Sequence, residues 1–436
     1  MSNDMIIYNT EDGRSKISLK LENGTVWLSQ LEIAELFETT KQNVSKHIKA
    51  IFEDGELLEK VVVNYQLTTT QHGAIKGKIQ MKKVIKKILL TILVIFLLLT
   101  VLPIAYFFIY GFFLRGNISE EKVNYLKANS IILPPECTIS DKALFTEVNT
   151  PTVFMFGEIH GFTKTQLFDA QLLIYLNKKF GVTDYFNEFF TEDAELLNQY
   201  LNADTPDETL LKQHFNNLKE NIPQRQTQEY FEKWKILYNY NQTLPKDQKI
   251  RVYGLLGKQE AFKHNRDSVM MSNFDLTIKQ LDSVSNTKRN YYCSLGSGHI
   301  YQEKYNGRKC FATLLKQKDY TVISVMHRPF DSEMYLPKGL GMPTSPNEMI
   351  SWANCDGPIS YFTNAENFKE ASGNPSIVLY KLNSKDSPYA HCQDVVGFKS
   401  PISFLIGKIT PEEDKYTTDY FQYVLVTRGW KGPKLP

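Results

Sequence analysis

One stretch constrains this chain more than any other. From Ile88 to Leu114 the sequence reads ILLTILVIFLLLTVLPIAYFFIYGFFL, 27 residues without a charge. As an α-helix it would be ~40 Å long, against ~30 Å for the hydrocarbon core of a bilayer. Core helices of water-soluble domains are shorter and carry polar interruptions, so the run is predicted to be a single transmembrane helix. Pro103 is expected to kink it without breaking it. Lys82, Lys83, Lys86 and Lys87 precede the run and a lone Arg115 follows it. That excess places the N-terminal side in the cytoplasm of a bacterial cell and everything after Arg115 outside. A small-residue cleavage site after a short apolar stretch is missing, which favours a retained signal anchor over a cleaved signal peptide. The lipid bilayer is therefore the first expected partner.

The rest of the composition is that of folded protein. Hydrophobic residues make up 42% and charged residues 22%, values that exclude both a disordered chain and a many-span transporter. Fifty Lys+Arg against 48 Asp+Glu leave no global basic field for wholesale nucleic-acid binding. All five cysteines, Cys137, Cys293, Cys310, Cys355 and Cys392, follow the apolar run. An odd number leaves at least one unpaired within the chain, and without a CxxC spacing neither a zinc ribbon nor a thioredoxin-type site is suggested. Three segments result: 1–80, a lysine-rich flank with the membrane anchor at 81–115, and 116–436.

In the first segment, Ser29 is a good N-cap, and Leu31, Ala34 and Phe37 recur at helical spacing behind it. A break at Glu38–Thr39 precedes a second helix, capped by Thr40, with Val44, Ile48 and Ile51 on its expected buried face. Two short helices joined this tightly form a helix-turn-helix pattern. The second would expose Lys41, Gln42, Asn43, Ser45, Lys46, His47 and Lys49. Gln and Asn suit adenine edges and Lys suits phosphate, so Lys41, Gln42, Asn43, Ser45, Lys46 and Lys49 are the candidate DNA contacts. A helical hairpin that binds nothing has the same pattern. Glu38 stands where many such turns carry glycine. The segment is also acidic, with nine basic against eleven acidic side chains, so any DNA binding is expected to be weak.

The stretch WLSQLEIAELFETTKQNVSKHI resembles the N-terminus of the RhuM-type virulence/DNA-binding family, over roughly Met5–Thr70. That resemblance implies a DNA-binding module. It stops near Gln80, short of the family's full length, so the module reads as a truncated copy. Met81 then opens MKKVIKKILLTILV, which looks like the start of an exported protein. A gene fusion, natural or artefactual, fits this join; so does a one-piece transmembrane regulator with a DNA-binding domain inside and a sensor outside.

Residues 116–436 are long enough for one large domain. Apolar, β-rich runs there end in polar residues. Thr152–Phe156 leads into Gly157, Glu158, Ile159, His160 and Gly161. Val182–Phe186 leads into Asn187 and Glu188, Ile250–Tyr253 into Gly254, and Asn290–Leu295 into Gly296, Ser297, Gly298 and His299. Helical patterns at Gln166–Lys179 and Glu192–Leu201 lie between them. Alternation of this kind predicts an α/β domain with a largely parallel sheet covered by helices. Such sheets bind ligands at the carboxyl ends of their strands. Glu158, His160, Glu188 and His299 all sit at such ends. Glu158 and His160, two residues apart, would point to one side of an extended backbone. The glycines at 157, 161 and 298 would allow sharp turns and close ligand approach. His214, His264, His327 and His391 lack this setting and read as structural.

This constellation resembles the erythromycin esterase-like, ChaN-like and TraB/Tiki superfamily. The likeness is carried by VFMFGEIH at Val153–His160, by Tyr185–Glu188, by NRDSVMMSN at Asn265–Asn273 and by Gly296–His299. TDYFQYVLVTR at Thr418–Arg428 reads like the family's closing strand. The esterase branch implies an ester hydrolase in which His160 is a general base. Glu158 and Glu188 would be its electrostatic partners, His299 a second polar contact and Arg266 an oxyanion stabiliser. The Tiki branch implies metal-dependent peptide hydrolysis and the ChaN branch haem binding; two His and two Glu also suit a divalent metal. The third strand departs from the pattern, reading Gly254-Leu255-Leu256 where a G-x-D is usual. Asn265-Arg266-Asp267 keeps the pattern, although a helix start salt-bridged to the scaffold would look the same, and Asp267 reads as partly structural. Residues 331–400, rich in Ser, Asn, Pro and Gly, are expected to form loops that cap the site and choose its small-molecule or peptide substrate. The leading expectation is a membrane-anchored ester or amide hydrolase. The alternatives are a transmembrane regulator with a non-catalytic outer sensor, and a haem- or metal-binding module.

Overall fold

The structure is a computed structural model. It describes residues 5–9, 16–22, 25–58, 63–64, 68–70, 73–75, 78–140, 144–145, 148, 151–258, 265–284 and 289–435. His264 lies outside the described residues, and so do the side chains of Lys82 and Lys83. The chain divides into two compact units, Met1–Tyr106 and Phe107–Pro436.

The first unit holds β1 (Met5–Asn9), β2 (Lys16–Glu22), β3 (Thr25–Ser29), α1 (Gln30–Leu36), α2 (Lys41–Glu53), β4 (Val63–Asn64), β5 (Thr68–Thr70), β6 (Gly73–Ile75) and β7 (Lys78–Gln80). Five strands make an antiparallel sheet in the order β1-β2-β3-β7-β4, and β5 pairs with β6 as a separate hairpin. Ser29 ends β3 and starts α1 through a capping box. Its hydroxyl accepts the Glu32 N–H at 3.3 Å while Glu32 Oε2 accepts the Ser29 N–H at 2.5 Å. Glu38 in the turn takes φ 49°, the left-handed conformation that glycine adopts more readily.

The buried face of this helix pair is narrower than the spacing predicts. Ala34 is the buried residue of α1 and Val44 that of α2, whereas Leu31 and Phe37 are 55% and 64% exposed. Steps of three residues rotate about 60° backwards around a helix, so Leu31 and Phe37 flank Ala34 on opposite sides. A contact centred on the small Ala34 leaves both flanks uncovered, and Phe37 has already left helical geometry. Lys41, Gln42, Asn43, Ser45, Lys46, His47 and Lys49 all lie on the exposed face of α2.

Helix α3 (Met81–Phe96) continues through a π-helical turn (Leu97–Val101) into α4 (Leu102–Leu114). Pro103 has no N–H to return to the preceding turn, and the wider π turn just before it absorbs the mismatch. Thr100 Oγ1 donates to the Phe96 carbonyl at 2.5 Å within that turn. Residues Lys86–Leu114 form a helix long and apolar enough to cross a membrane, and none of its most apolar stretch is buried, unlike the core helix of a soluble domain.

The second unit is an α/β domain around an eight-stranded sheet. Its strands are β8 (Ser130–Ile132), β9 (Thr152–Glu158), β10 (Asp184–Asn187), β11 (Arg251–Gly254), β12 (Tyr291–Gly296), β13 (Thr321–Phe330), β14 (Ser376–Lys381) and β15 (Tyr423–Arg428). Their order is β11-β10-β12-β9-β13-β15-β14-β8. The first six run parallel; β14 and β8 are antiparallel additions at one edge. Alternation along β9 feeds two cores. Val153 and Met155 join Met270, Phe274 and Phe311 on one face, and Phe154 and Phe156 join Phe168, Leu197 and Trp234 on the other. The second face is covered by α5 (Thr165–Phe180), α6 (Thr191–Asn202), α7 (Glu208–Asn221) and α8 (Gln228–Gln242). The first is covered by α9 (Arg266–Val284) and α10 (Phe311–Lys316). Burial on both faces explains why these strands read as unbroken apolar runs. All five cysteines are free thiols, four of them buried.

The 331–400 region is more structured than its composition suggests. Short ladders pair Met334–Tyr335 with Met349–Ile350 and Tyr361–Phe362 with Phe398–Lys399.

Candidate active site

Three neighbouring parallel strands bring their carboxyl ends to one edge. In the register, Gly296 of β12 lies opposite Glu158 of β9, and Ser294 of β12 opposite Asn187 of β10. Glu158, His160, Glu188, His299 and Arg266 therefore share one cleft. A Cβ built on Gly296 would stand 3.3 Å from both His160 Nε2 and Glu188 Oε2 and 3.6 Å from His299. Gly296 is thus the residue whose missing side chain keeps the cleft open. Gly298, expected in that role, has nothing nearer than the Tyr305 hydroxyl at 3.5 Å. Gly161 is the turn glycine, at φ 87°, where any side chain would collide with the Tyr335 carbonyl. Tyr335 N–H also donates to Gly161 O at 2.8 Å, so the Met334–Ile350 hairpin packs on the His160 turn.

His160 Nδ1 lies 2.6 Å from Glu158 Oε1. Glu158 is buried, yet its carboxyl is held well below the usual range. Burial opposes this, but the Arg225 guanidinium and His160 overcome it. Arg225, itself 1% exposed, donates to Glu158 Oε1 and, at 3.2 Å, to Asn187 Oδ1. Gln166 donates to the other Glu158 oxygen and leads down to a second buried group. There Asp169 accepts from Lys233 at 2.5 Å, Tyr185 and Tyr292 at 2.6 Å and Ser294 at 2.9 Å.

On the other side of Gly296, Glu188 Oε2 accepts the Gly296 N–H at 3.0 Å and Oε1 accepts from Arg266 at 2.7 Å. Its carboxyl too is held low against burial, chiefly by His299. His299 Nε2 is 3.4 Å from Glu188 and its Nδ1 2.6 Å from Asp267. Burial alone would depress this imidazole; the two carboxylates raise it to about 9. His299 thus sits between two carboxylates that favour its charged form, with Nδ1 hydrogen-bonded to Asp267 and Nε2 at ion-pair distance from Glu188.

The arrangement does not suit a metal. Among the described residues no group of three or more His, Cys, Asp or Glu is placed to hold one. Glu158 and Glu188 are each taken by a guanidinium, and His299 Nδ1 is taken by Asp267.

Asp267, Arg225, Gln166 and Asn187 belong to the site, although the sequence does not single them out as such. Asp267 had one signal, its place beside Arg266 at the start of a helix. Arg225 sits in a short 3-10 turn between α7 and α8, and nothing local marks it. Leu255 and Leu256 are core residues, so the third strand end supplies packing and no carboxylate. Of the other histidines described, His327 braces the His160 turn from beneath and the rest lie elsewhere. His214 is buried between Asp193 and Tyr230, and His391 is exposed. His327, buried and pushed down to about 3 mainly by burial, bonds Thr427 and the Ile159 N–H.

No protein-family model and no curated protein matches the chain, so the RhuM-type resemblance rests on its residues alone. Among solved structures, a Bacillus cereus protein determined as a structural-genomics target matches with a TM-score of 0.50 at 12% identity, over 72% of this chain and 98% of that one. This likeness shows a shared fold. A succinoglycan biosynthesis protein matches with a TM-score of 0.48 at 10% identity, over 73% of this chain and 98% of that one. A variant of erythromycin esterase EreC, in its open conformation, matches with a TM-score of 0.45 at 8% identity, over 66% and 92%.

Proposed function

We propose that the chain is a membrane-anchored hydrolase that cleaves an ester or amide with water activated by His160. The carrying observation is the pairing of the buried Glu158 with the part-exposed His160: Nδ1 is fixed by an ionised carboxylate, which leaves Nε2 beside Gly296 in the cleft. An imidazole held this way is oriented as a general base, and Glu158 stabilises the imidazolium that forms. Water attacks the acyl carbon, its proton passes to Nε2, and the carbonyl π electrons move onto oxygen. His299, its pKa raised by two carboxylates, and the partly exposed Arg266 face the same space and supply positive charge for that oxyanion. The proton on His160 then goes to the leaving alcohol or amine. Glu188 ties both cations together.

The 27-residue uncharged run and the lysines before it support an anchor with residues 1–87 inside and the α/β domain outside. The packing of the Met334–Ile350 hairpin against the His160 turn supports a role for it in substrate contact.

Full-length protein in detergent, assayed against a panel of aryl and alkyl esters, lactones and peptides, tests this reading. His160→Ala should lower any hydrolysis by about 10²–10⁴-fold while the protein stays folded by circular dichroism. A wild-type protein inert toward every member of the panel would sink the proposal.

A further inference from the structure

The α/β unit displays a built apolar turn on its surface. Residues Lys399–Lys408 form a loop closed at its base by reciprocal bonds between Phe398 and Ile409, at 3.2 and 3.1 Å. The loop is internally ordered. Ser400, 2% exposed, accepts the Ile402 N–H on its hydroxyl at 3.0 Å, and its carbonyl accepts from the Ser403 hydroxyl at 2.6 Å. Ser403–Ile406 is a short helical turn ended by Gly407 at φ 77°. This rigid turn holds Phe404 and Leu405 out at 82% and 71% exposure, between the exposed Lys399 and Lys408. Large apolar side chains on an ordered turn, flanked by lysines, match the chemistry of the bilayer interface: apolar groups reach acyl chains while ammonium groups meet anionic headgroups.

The turn's position in the unit points to the same partner. Its base strand, Phe398–Lys399, pairs with Tyr361–Phe362. Tyr361 packs on Gly111 of α4, where any side chain would collide with its hydroxyl. Gly111 lies three residues from the end of the apolar helix, about 4.5 Å along its axis. Tyr361, itself buried, therefore ties the base strand of the turn to the last turns of the apolar helix. Arg115, at the helix exit, pairs with Glu366 at 3.9 Å.

We infer that the Lys399–Lys408 turn is a second membrane contact, inserting Phe404 and Leu405 into the leaflet from which α4 emerges. The inference rests on the reading of Lys86–Leu114 as a membrane span. Two contacts, one helix and one turn, would fix the orientation of the domain on the bilayer where a single anchor would leave it free to tilt.

The test is photo-crosslinking of the full chain in vesicles of phosphatidylcholine and phosphatidylglycerol whose acyl chains carry a diazirine, with adducts mapped by mass spectrometry. Adducts are expected in Ile88–Leu114 and also on the peptide carrying Phe404 and Leu405. The double substitution Phe404→Ser, Leu405→Ser should lose the second set and keep the first. Adducts confined to the helix would overturn the inference, whether water or a second copy of the chain covers the turn. Adducts in neither segment would overturn the membrane reading itself.

Discussion

Asp267 Oδ1 lies 2.6 Å from His299 Nδ1, and the same oxygen accepts the Phe311 N–H at 2.8 Å. One carboxylate thus charges an imidazole in the cleft and satisfies the first N–H of α10. From its sequence setting Asp267 reads as partly structural; the geometry gives it a contact in the cleft as well as one in the scaffold.

A pH dependence follows from this pair. His299 is raised from 6.5 to about 9 in the folded protein. A raised histidine stabilises the fold fully below its unfolded pKa and loses that contribution as pH climbs through its folded value. Melting temperature should therefore fall between about pH 6.5 and 9.5, and hydrolysis should decline above pH 9 as the positive charge is lost. Asp267→Asn keeps an acceptor for Phe311 but removes the charge beside His299, so the alkaline limb should move toward neutral pH. Asp267→Ala should also cost about 1–3 kcal/mol by stranding a buried N–H. A limb that stays in place in Asp267→Asn would separate His299 from the pH profile.

Lys233 and Asp169 are both about 1% exposed and form an ion pair at the floor of the site. Burial lowers the Lys233 pKa, and Asp169 opposes the shift. Lys233→Met leaves an uncompensated buried carboxylate and should destabilise the protein by about 3–5 kcal/mol. Chemical denaturation measures this; a loss under about 1 kcal/mol would mean that the tyrosines at 185 and 292 suffice to hold Asp169.

Topology is open to a direct check. Protease added to intact cells should digest the chain after Arg115 and spare residues 1–87, because positive charge is retained on the cytoplasmic side. Protection of both halves would refute the orientation.

Residues 1–80 should bind DNA weakly or not at all. The segment is acidic overall, and a single copy offers one recognition helix where dimers offer two half-site contacts. Gel-shift or anisotropy titrations at physiological salt measure it. Tight, sequence-specific binding lost in Asn43→Ala would restore the transmembrane-regulator reading.

Local chemistry made several features legible in the chain itself. An uncharged run has no good place in water, so the apolar helix is written in its composition. Ser29 and Thr40 announce helix starts because a hydroxyl there meets unpaired backbone N–H groups. Strands buried on both faces read as apolar runs, and parallel alignment carries Glu158, Glu188 and His299 to one edge. Tertiary structure alone decided which charges meet. Arg225 reaches Glu158 from 67 positions away and Asp267 reaches His299 from 32, distances over which spacing carries no information. The same holds for Leu31 and Phe37, whose exposure depends on how little of α1 its neighbours cover, and for Gly296, whose role appears only where three strands converge. A periodic pattern marks where a side chain could pack; the partner that packs there, and the charge it brings, is set by the fold.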